Sequence, residues 1–293
     1  MVSGAYVEKI REVYPGLALD HLQLISDGMV NDVVVVNREL VCRFVRDAGD
    51  AETLAREAAV LSVIHDRVEL STPRLERLEA GFASYRYIPG EPLSRNALAR
   101  LSAPGRSRII AELGLFHAQL HSIPAAALTA SGVPRSASVR SRADWLDLYD
   151  RVRNTLFPHL WTHQQVWVDE LFAPLVSGQL DLSYTPTLVH GDLANYHILH
   201  DPERESLTGV IDFGVAGLGD PACDIAVQLG NYGDGVVQRM AADYPRLLDV
   251  IDRARFWAGT FELQWGTAGL EHKDVSLLLA HIGGNRETRS VGS

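Results

Sequence analysis

The stretch Leu188-Val189-His190-Gly191-Asp192-Leu193-Ala194-Asn195-Tyr196-His197-Ile198-Leu199, followed by Val210-Ile211-Asp212-Phe213-Gly214, carries the reading of this chain. Apolar runs alternate with polar segments in the layout strand, polar loop, strand, turn, strand, acidic loop. Each aspartate sits beside a glycine in a loop next to an apolar strand, which lets short carboxylates converge while the strands stay buried. Twenty residues separate Asp192 from Asp212, enough for a hairpin to bring them together.

Phosphoryl transfer asks for this pairing. One carboxylate has to stand near the attacking hydroxyl and a second has to hold magnesium against the β- and γ-phosphates, because catalysis there is mainly positioning and charge neutralisation. Asp192 and Asp212 suit those two places.

Upstream, Leu22–Ile25, Val33–Val36 and Leu40–Val45 are β-branched or apolar runs, and Asn37-Arg38-Glu39 splits the last two as an antiparallel hairpin. Leu54, Ala58, Leu61 and Ile64 recur at helical spacing behind Asp50, a candidate cap. Ala83–Ile88 reads as a last strand, stopped at a Pro89-Gly90 hinge. Beyond it, helices are expected over 109–123, 145–155, 163–177, 225–229, 236–242, 246–267 and 273–281. The small, basic segment 125–141 is expected to be an exposed loop.

On these residues the sequence resembles the aminoglycoside-phosphotransferase and choline-kinase superfamily, relatives of protein kinases. Within it, the motif resembles the branch of aminoglycoside 2''-phosphotransferases and macrolide phosphotransferases. The resemblance covers most of the chain in order, although only the HGD loop and the IDFG segment are specific. It implies an α+β, bilobal, protein-kinase-like fold: a nucleotide-binding lobe over 1–87, with a small antiparallel sheet and one helix, and a larger, mainly helical catalytic and substrate-binding lobe over 88–293.

The same resemblance implies Asp192 as the base orienting the acceptor hydroxyl and Asp212 as a magnesium ligand. His190 would brace the loop. The family's usual asparagine, five residues after the base, is replaced here by His197, with Asn195 two positions earlier; in the branch that the motif resembles, histidine takes that place, so the resemblance implies His197 as the second metal ligand ahead of Asn195, although oxygen suits magnesium better than imidazole. Asp220 with Pro221 reads as a helix start, and Asp224 could brace the catalytic loop or simply lie near the positive helix end.

The only lysines are Lys9 and Lys273, outside the hairpin where such a fold holds its phosphate-binding cation. Arg43 is the candidate there, since a guanidinium grips phosphate oxygens in pairs and keeps its charge. Glu57 resembles the helix glutamate that orients that cation, with Glu52 as the alternative. Ser26 and Gly28 stand where a phosphate-covering loop belongs, without a GxGxxG pattern, and an ordinary turn explains them equally well. Tyr87 and Ile88 resemble the hinge segment that hydrogen-bonds a purine through its backbone, which leaves ATP and GTP both open as donors.

A polyamine acceptor would call for carboxylates and aromatic faces. Asp144, Trp145 and Asp147 on one helix, and Glu262, Trp265 and Glu271 near the C-terminal helices, are the candidates; core packing for the tryptophans and solvated helix faces for the acids are the plain alternatives.

Composition agrees with a small-molecule enzyme. The net charge is 27 − 37 = −10, spread along the chain, which disfavours nucleic acid and permits a cationic ligand. Two cysteines, Cys42 and Cys223, fit buried reduced thiols, not a disulfide framework or a zinc site. With no signal-like N-terminus and no run of membrane-spanning length, a cytoplasmic protein, monomeric or weakly dimeric, is expected. The expected activity is Mg2+-dependent transfer of a γ-phosphate from ATP or GTP to an aminoglycoside hydroxyl. A macrolide, a choline- or homoserine-like alcohol, or a non-catalytic kinase-like binder are the alternatives.

Overall fold

The computed structural model describes residues 2–25, 31–46 and 51–273. Its elements, in chain order, begin with helix α1 (Gly4–Val13), strands β1 (Leu22–Ile25), β2 (Asn31–Val36) and β3 (Leu40–Val45), helix α2 (Ala51–Ile64), and strands β4 (Leu75–Glu79) and β5 (Phe82–Arg86). These strands form one antiparallel sheet in the order β1-β2-β3-β5-β4.

The hairpin turns at Asn37 and Arg38, both with left-handed backbone (φ 53° and 56°), and Glu39 N–H donates to the Val36 carbonyl at 2.8 Å. Asparagine tolerates that conformation better than most residues. The Asn37 side chain secures it, accepting from His21 N–H (2.9 Å) and donating to the Ala18 carbonyl (2.7 Å).

Strand β3 is buried on both faces, and alternation explains what each face meets. Leu40, Cys42 and Phe44 join Ile10 of α1, Val34, Val36 and Phe82 in one apolar cluster. Val41 packs with Val35 and Tyr85 on the other side, the side to which Arg43 also belongs.

After β5 come strand β6 (Glu91–Pro92), helices α3 (Arg95–Arg100), α4 (Ala103–His121), α5 (Ala125–Ala130), α6 (Arg142–Arg151) and α7 (Thr162–Ser177), then strands β7 (Thr187–Val189), β8 (Ile198–Asp201), β9 (Ser206–Val210) and β10 (Gly217–Gly219). Helices α8 (Ala222–Tyr232), α9 (Asp234–Met240) and α10 (Ile251–Glu271) complete the described chain. Their core includes Leu113, Phe116, Phe172, Phe213 and Phe256, each essentially sealed from solvent. Both cysteines are free and buried. Among the described residues no helix is long and apolar enough to cross a membrane.

Two expectations need correction. Segment 125–141 is not an exposed loop: α5 occupies its start, Leu128, Val133 and Ser136 are buried, and the chain then pairs with the strand after the IDFG segment through Ser136 N–H to Leu218 O (2.9 Å) and Leu218 N–H to Pro134 O (2.8 Å). Its small residues permit close backbone approach, which composition alone reads as looseness. The helix expected over 246–267 is instead a 3-10 turn (Pro245–Asp249) followed by α10. The Asp50 cap and residues 274–281 lie outside the described residues.

Candidate active site

Asp192 lies in a loop that α8 holds from both sides. Ahead of the aspartate, the Asp224 carboxylate accepts from His190 N–H (2.9 Å) and Gly191 N–H (2.8 Å). Just after it, the Leu193 carbonyl accepts from Gln228 Nε2 (3.1 Å) and Asn231 Nδ2 (3.0 Å). Residues 224, 228 and 231 are spaced four and three apart, so they share one face of α8. Asp224 is anchored in turn by His121 Nε2 (3.0 Å), whose Nδ1 meets the Tyr244 hydroxyl (2.9 Å). Burial opposes the Asp224 charge, yet these partners, led by His121, hold its carboxyl well below the usual range. Gly191 adopts φ 82°, and a Cβ there would come within 2.9 Å of Ser136 Oγ, so the loop's turn requires glycine.

His190 braces the loop as a neutral imidazole. Asp192 N–H donates to its Nδ1 (3.3 Å), which leaves Nε2 to donate to the Ile211 carbonyl (3.1 Å). Burial pushes its pKa down to about 4.

Asp192, His197 and Asp212 converge. His197 Nδ1 lies 2.8 Å from the Asp192 carbonyl, which can only accept, so this nitrogen donates and Nε2 faces Asp212 Oδ2 at 3.4 Å. Asp212 itself is left-handed (φ 66°), a conformation uncommon outside glycine that aims its carboxylate into the site. Desolvation opposes its charge, but His197 and then Arg43 hold it well below the usual carboxylate range. His197 is raised despite its burial, chiefly by its hydrogen bond with Asp212. Asp192 opens toward solvent on one side while protein atoms crowd its carboxyl, and that partial dehydration pushes its pKa up to about 6.

Arg43 approaches from the sheet. Its guanidinium donates to both Glu57 carboxylate oxygens (2.7 and 2.6 Å), and its other amino group lies 3.7 Å from Asp212 Oδ1. Burial disfavours the guanidinium charge, but Glu57 and Asp212 more than restore it. Glu57 also accepts from Phe213 N–H (3.2 Å), so one carboxylate ties β3, α2 and the residue after Asp212 together. Glu52 is exposed, leaving Glu57 as the partner.

Asp212 and, with its Nε2 unprotonated, His197 are the described groups that could hold a divalent cation here. These residues offer carboxylate oxygens and one imidazole nitrogen. Among the described residues there is no group of three or more His, Cys, Asp or Glu arranged to hold a metal. Magnesium suits such a sparse set, because it keeps waters and takes substrate phosphates as ligands.

The other sequence candidates scatter. Ser26 and Gly28 lie outside the described residues. Tyr87 N–H already donates to the Glu39 carbonyl (2.9 Å), whereas the Ile88 N–H has no partner among the described residues. Trp145 is a correction: it is buried in the core, with its ring edge-on to Phe256 and Trp257, and cannot face an acceptor. Asp144 is committed to a capping box with Ser141. Asp147 (3.9 Å) and Glu271 (2.6 Å) meet on Arg151, which offsets their charge. Glu262 and Trp265 lie one turn apart on α10. Glu262 follows Phe261, whose ring lies beside Gly230 of α8, next to Asn231. Gln228, Asn231 and Tyr196 escaped sequence reasoning; isolated polar or aromatic residues at helix or loop positions carry no periodic signal.

Comparison with known proteins identifies the family. A model of the phosphotransferase enzyme family, APH, matches residues 21–257. Viomycin phosphotransferase of Streptomyces vinaceus is 26% identical over 229 residues, covering 74% of this chain and 76% of that protein. Among solved structures, the GDP complex of wild-type aminoglycoside 2'-phosphotransferase-IIIa superposes with a TM-score of 0.84 at 24% identity over 97% of each chain. The GDP and kanamycin complex of APH(2")-IIIa gives 0.81 at 25% over 96% of each. Macrolide 2'-phosphotransferase type I gives 0.69 at 22% over 99% of each. With its described site joined to a family model that spans most of its length, the chain belongs to the phosphotransferase enzyme family, as an enzyme of kinase-like fold with an alcohol group as acceptor.

Proposed function

We propose that this enzyme transfers the γ-phosphate of ATP or GTP, with Mg2+, to a hydroxyl of an aminoglycoside. The observation that carries the reading is the convergence of Asp192, His197, Asp212 and the Arg43–Glu57 pair at one place. Asp192 takes the acceptor's hydroxyl proton as the phosphoryl group leaves the nucleotide. Raised to about 6, its carboxyl is ionised at neutral pH yet basic enough to orient that hydroxyl. Asp212 and His197 hold the cation, which when bound neutralises charge on the β- and γ-phosphates. Arg43 grips a phosphate oxygen while Glu57 keeps it aimed. The nucleotide lies between a lobe over 1–87 and a lobe over 88–293, with the Ile88 N–H and Tyr87 carbonyl toward its purine; Ser26 and Gly28, the phosphate-side candidates, lie outside the described residues.

Glu262 and Trp265, in the stretch of α10 next to α8, are the acceptor contacts; Asp144, Asp147 and Glu271 are already engaged by Ser141 and Arg151 and fall away as acceptor contacts. Kanamycin in a solved relative supports the aminoglycoside. The curated relative's name supports viomycin as a second reading. Initial rates of nucleotide consumption with kanamycin, viomycin and erythromycin, each with ATP and with GTP, decide between them. Turnover with kanamycin is expected, and turnover with erythromycin alone would overturn the assignment.

A further inference from the structure

Tyr196 is the one large side chain of the catalytic loop that the structure leaves open. Leu193 is completely buried and His197 nearly so, while Tyr196 is 57% exposed. The ring is not adrift: it stands perpendicular to the His197 ring (77°) with centroids 4.4 Å apart. A perpendicular contact with a single ring occupies little of its surface. The hydroxyl has no hydrogen-bond partner among the described residues, so neither the ring nor its polar tip is used up by the fold.

Its surroundings are anionic. The ring stands against His197, whose Nε2 faces Asp212 Oδ2 at 3.4 Å, and Asp192 lies four residues back in the same loop. Among the described residues the Arg43 and His197 side chains pair with the Asp212 carboxylate, and no ion pair holds the Asp192 carboxylate. An electron-rich ring beside a carboxylate open to solvent suits a positively charged, hydroxylated ligand: the ammonium meets the π-face and the neighbouring hydroxyl meets the carboxylate. Singly exposed aromatic residues are common on protein surfaces. This one lies between the base and the metal-facing histidine, four residues beyond Asp192.

We infer that Tyr196 is an acceptor-contacting residue, whose ring receives an ammonium group of an aminated sugar and so brings the adjacent hydroxyl onto Asp192. The inference rests on the acceptor class proposed above. It identifies a specificity determinant in the catalytic loop, apart from the acidic helix positions, and it favours acceptors carrying an amine one or two carbons from the reacting hydroxyl.

Calorimetric titration of kanamycin into the full chain, saturated with a nucleoside diphosphate and Mg2+, reads this contact without needing transfer. Tyr196→Leu keeps bulk and removes the π-face, and is expected to weaken kanamycin binding about three- to thirty-fold. Tyr196→Phe, which keeps the face, should stay within about twofold. Thermal unfolding of each variant checks that the fold survives, as expected for an exposed position. Kanamycin binding by Tyr196→Leu equal to wild type overturns the inference, as does a wild type that does not bind kanamycin. Steady-state transfer by the wild type reads the proposed function separately: Tyr196-dependent binding without transfer would remove the kinase assignment for kanamycin and leave Tyr196 as its contact.

Discussion

Replacing Glu57 by glutamine should damage both stability and nucleotide handling, and the size of the damage follows from the burial of the pair. The Arg43 and Glu57 side chains are 7% and 1% exposed, with both carboxylate oxygens on one guanidinium nitrogen at 2.7 and 2.6 Å. Removing one partner of a buried pair costs about 3–5 kcal/mol, because the remaining charge loses its counterion without regaining water. Glutamine keeps the volume and one carbonyl, which recovers roughly 1 kcal/mol through a hydrogen bond to the guanidinium. Asp212, at 3.7 Å, remains as a weaker counterion. A net loss of about 2–4 kcal/mol is expected. With an m-value of about 3 kcal/mol/M, the urea midpoint falls by roughly 1 M. Nucleotide affinity should fall as well, since Arg43 is then free to swing onto Asp212. The double variant Arg43→Met/Glu57→Met separates the two effects: it should regain most of the stability while nucleotide binding stays poor. A stability loss under about 1 kcal/mol for Glu57→Gln would refute the claim that this ion pair is buried and coupled.

Two more outcomes follow from the loop geometry. Asp192 acts as a carboxylate, so kcat/KM should fall about tenfold per pH unit below a limb near 6, and a limb near the ordinary aspartate value would contradict the crowding of its carboxyl. Gln228→Leu and Asn231→Ala each remove one of the two donors to the Leu193 carbonyl, and each should lower kcat about tenfold while the nucleotide KM moves less than threefold; unchanged kcat in both would show that α8 does not position Asp192 from that side.

Much of this architecture is written locally. The hairpin shows in two β-branched runs around Asn37, and α2 shows in the spacing of Leu54, Leu61 and Ile64. Arg43 stands out because no lysine lies nearby, and Glu57 because it falls on the helix that follows that strand. His190, Asp192 and Asp212 are legible because short motifs carry their own backbone demands, such as the left-handed turn at Gly191. What escaped depends on contacts made far along the chain. Trp145 reads equally well as a cation platform or a core ring until Phe256 and Trp257, more than a hundred residues later, are found on it. The segment 134–139 reads as a loop because its partner is the backbone of Val215 and Leu218. Gln228 and Asn231 are two amides on an amphipathic helix, and only their distance to Leu193 gives them a role.

The central claim, phosphoryl transfer to an acceptor hydroxyl oriented by Asp192, is tested most directly by mass spectrometry of the acceptor. Kanamycin would be incubated with Mg2+ and ATP or GTP, with wild type and Asp192→Asn side by side. The account predicts a kanamycin product heavier by one phosphoryl group with the wild type, and a rate at least about a hundredfold lower with Asp192→Asn. Equal product from both enzymes would contradict it.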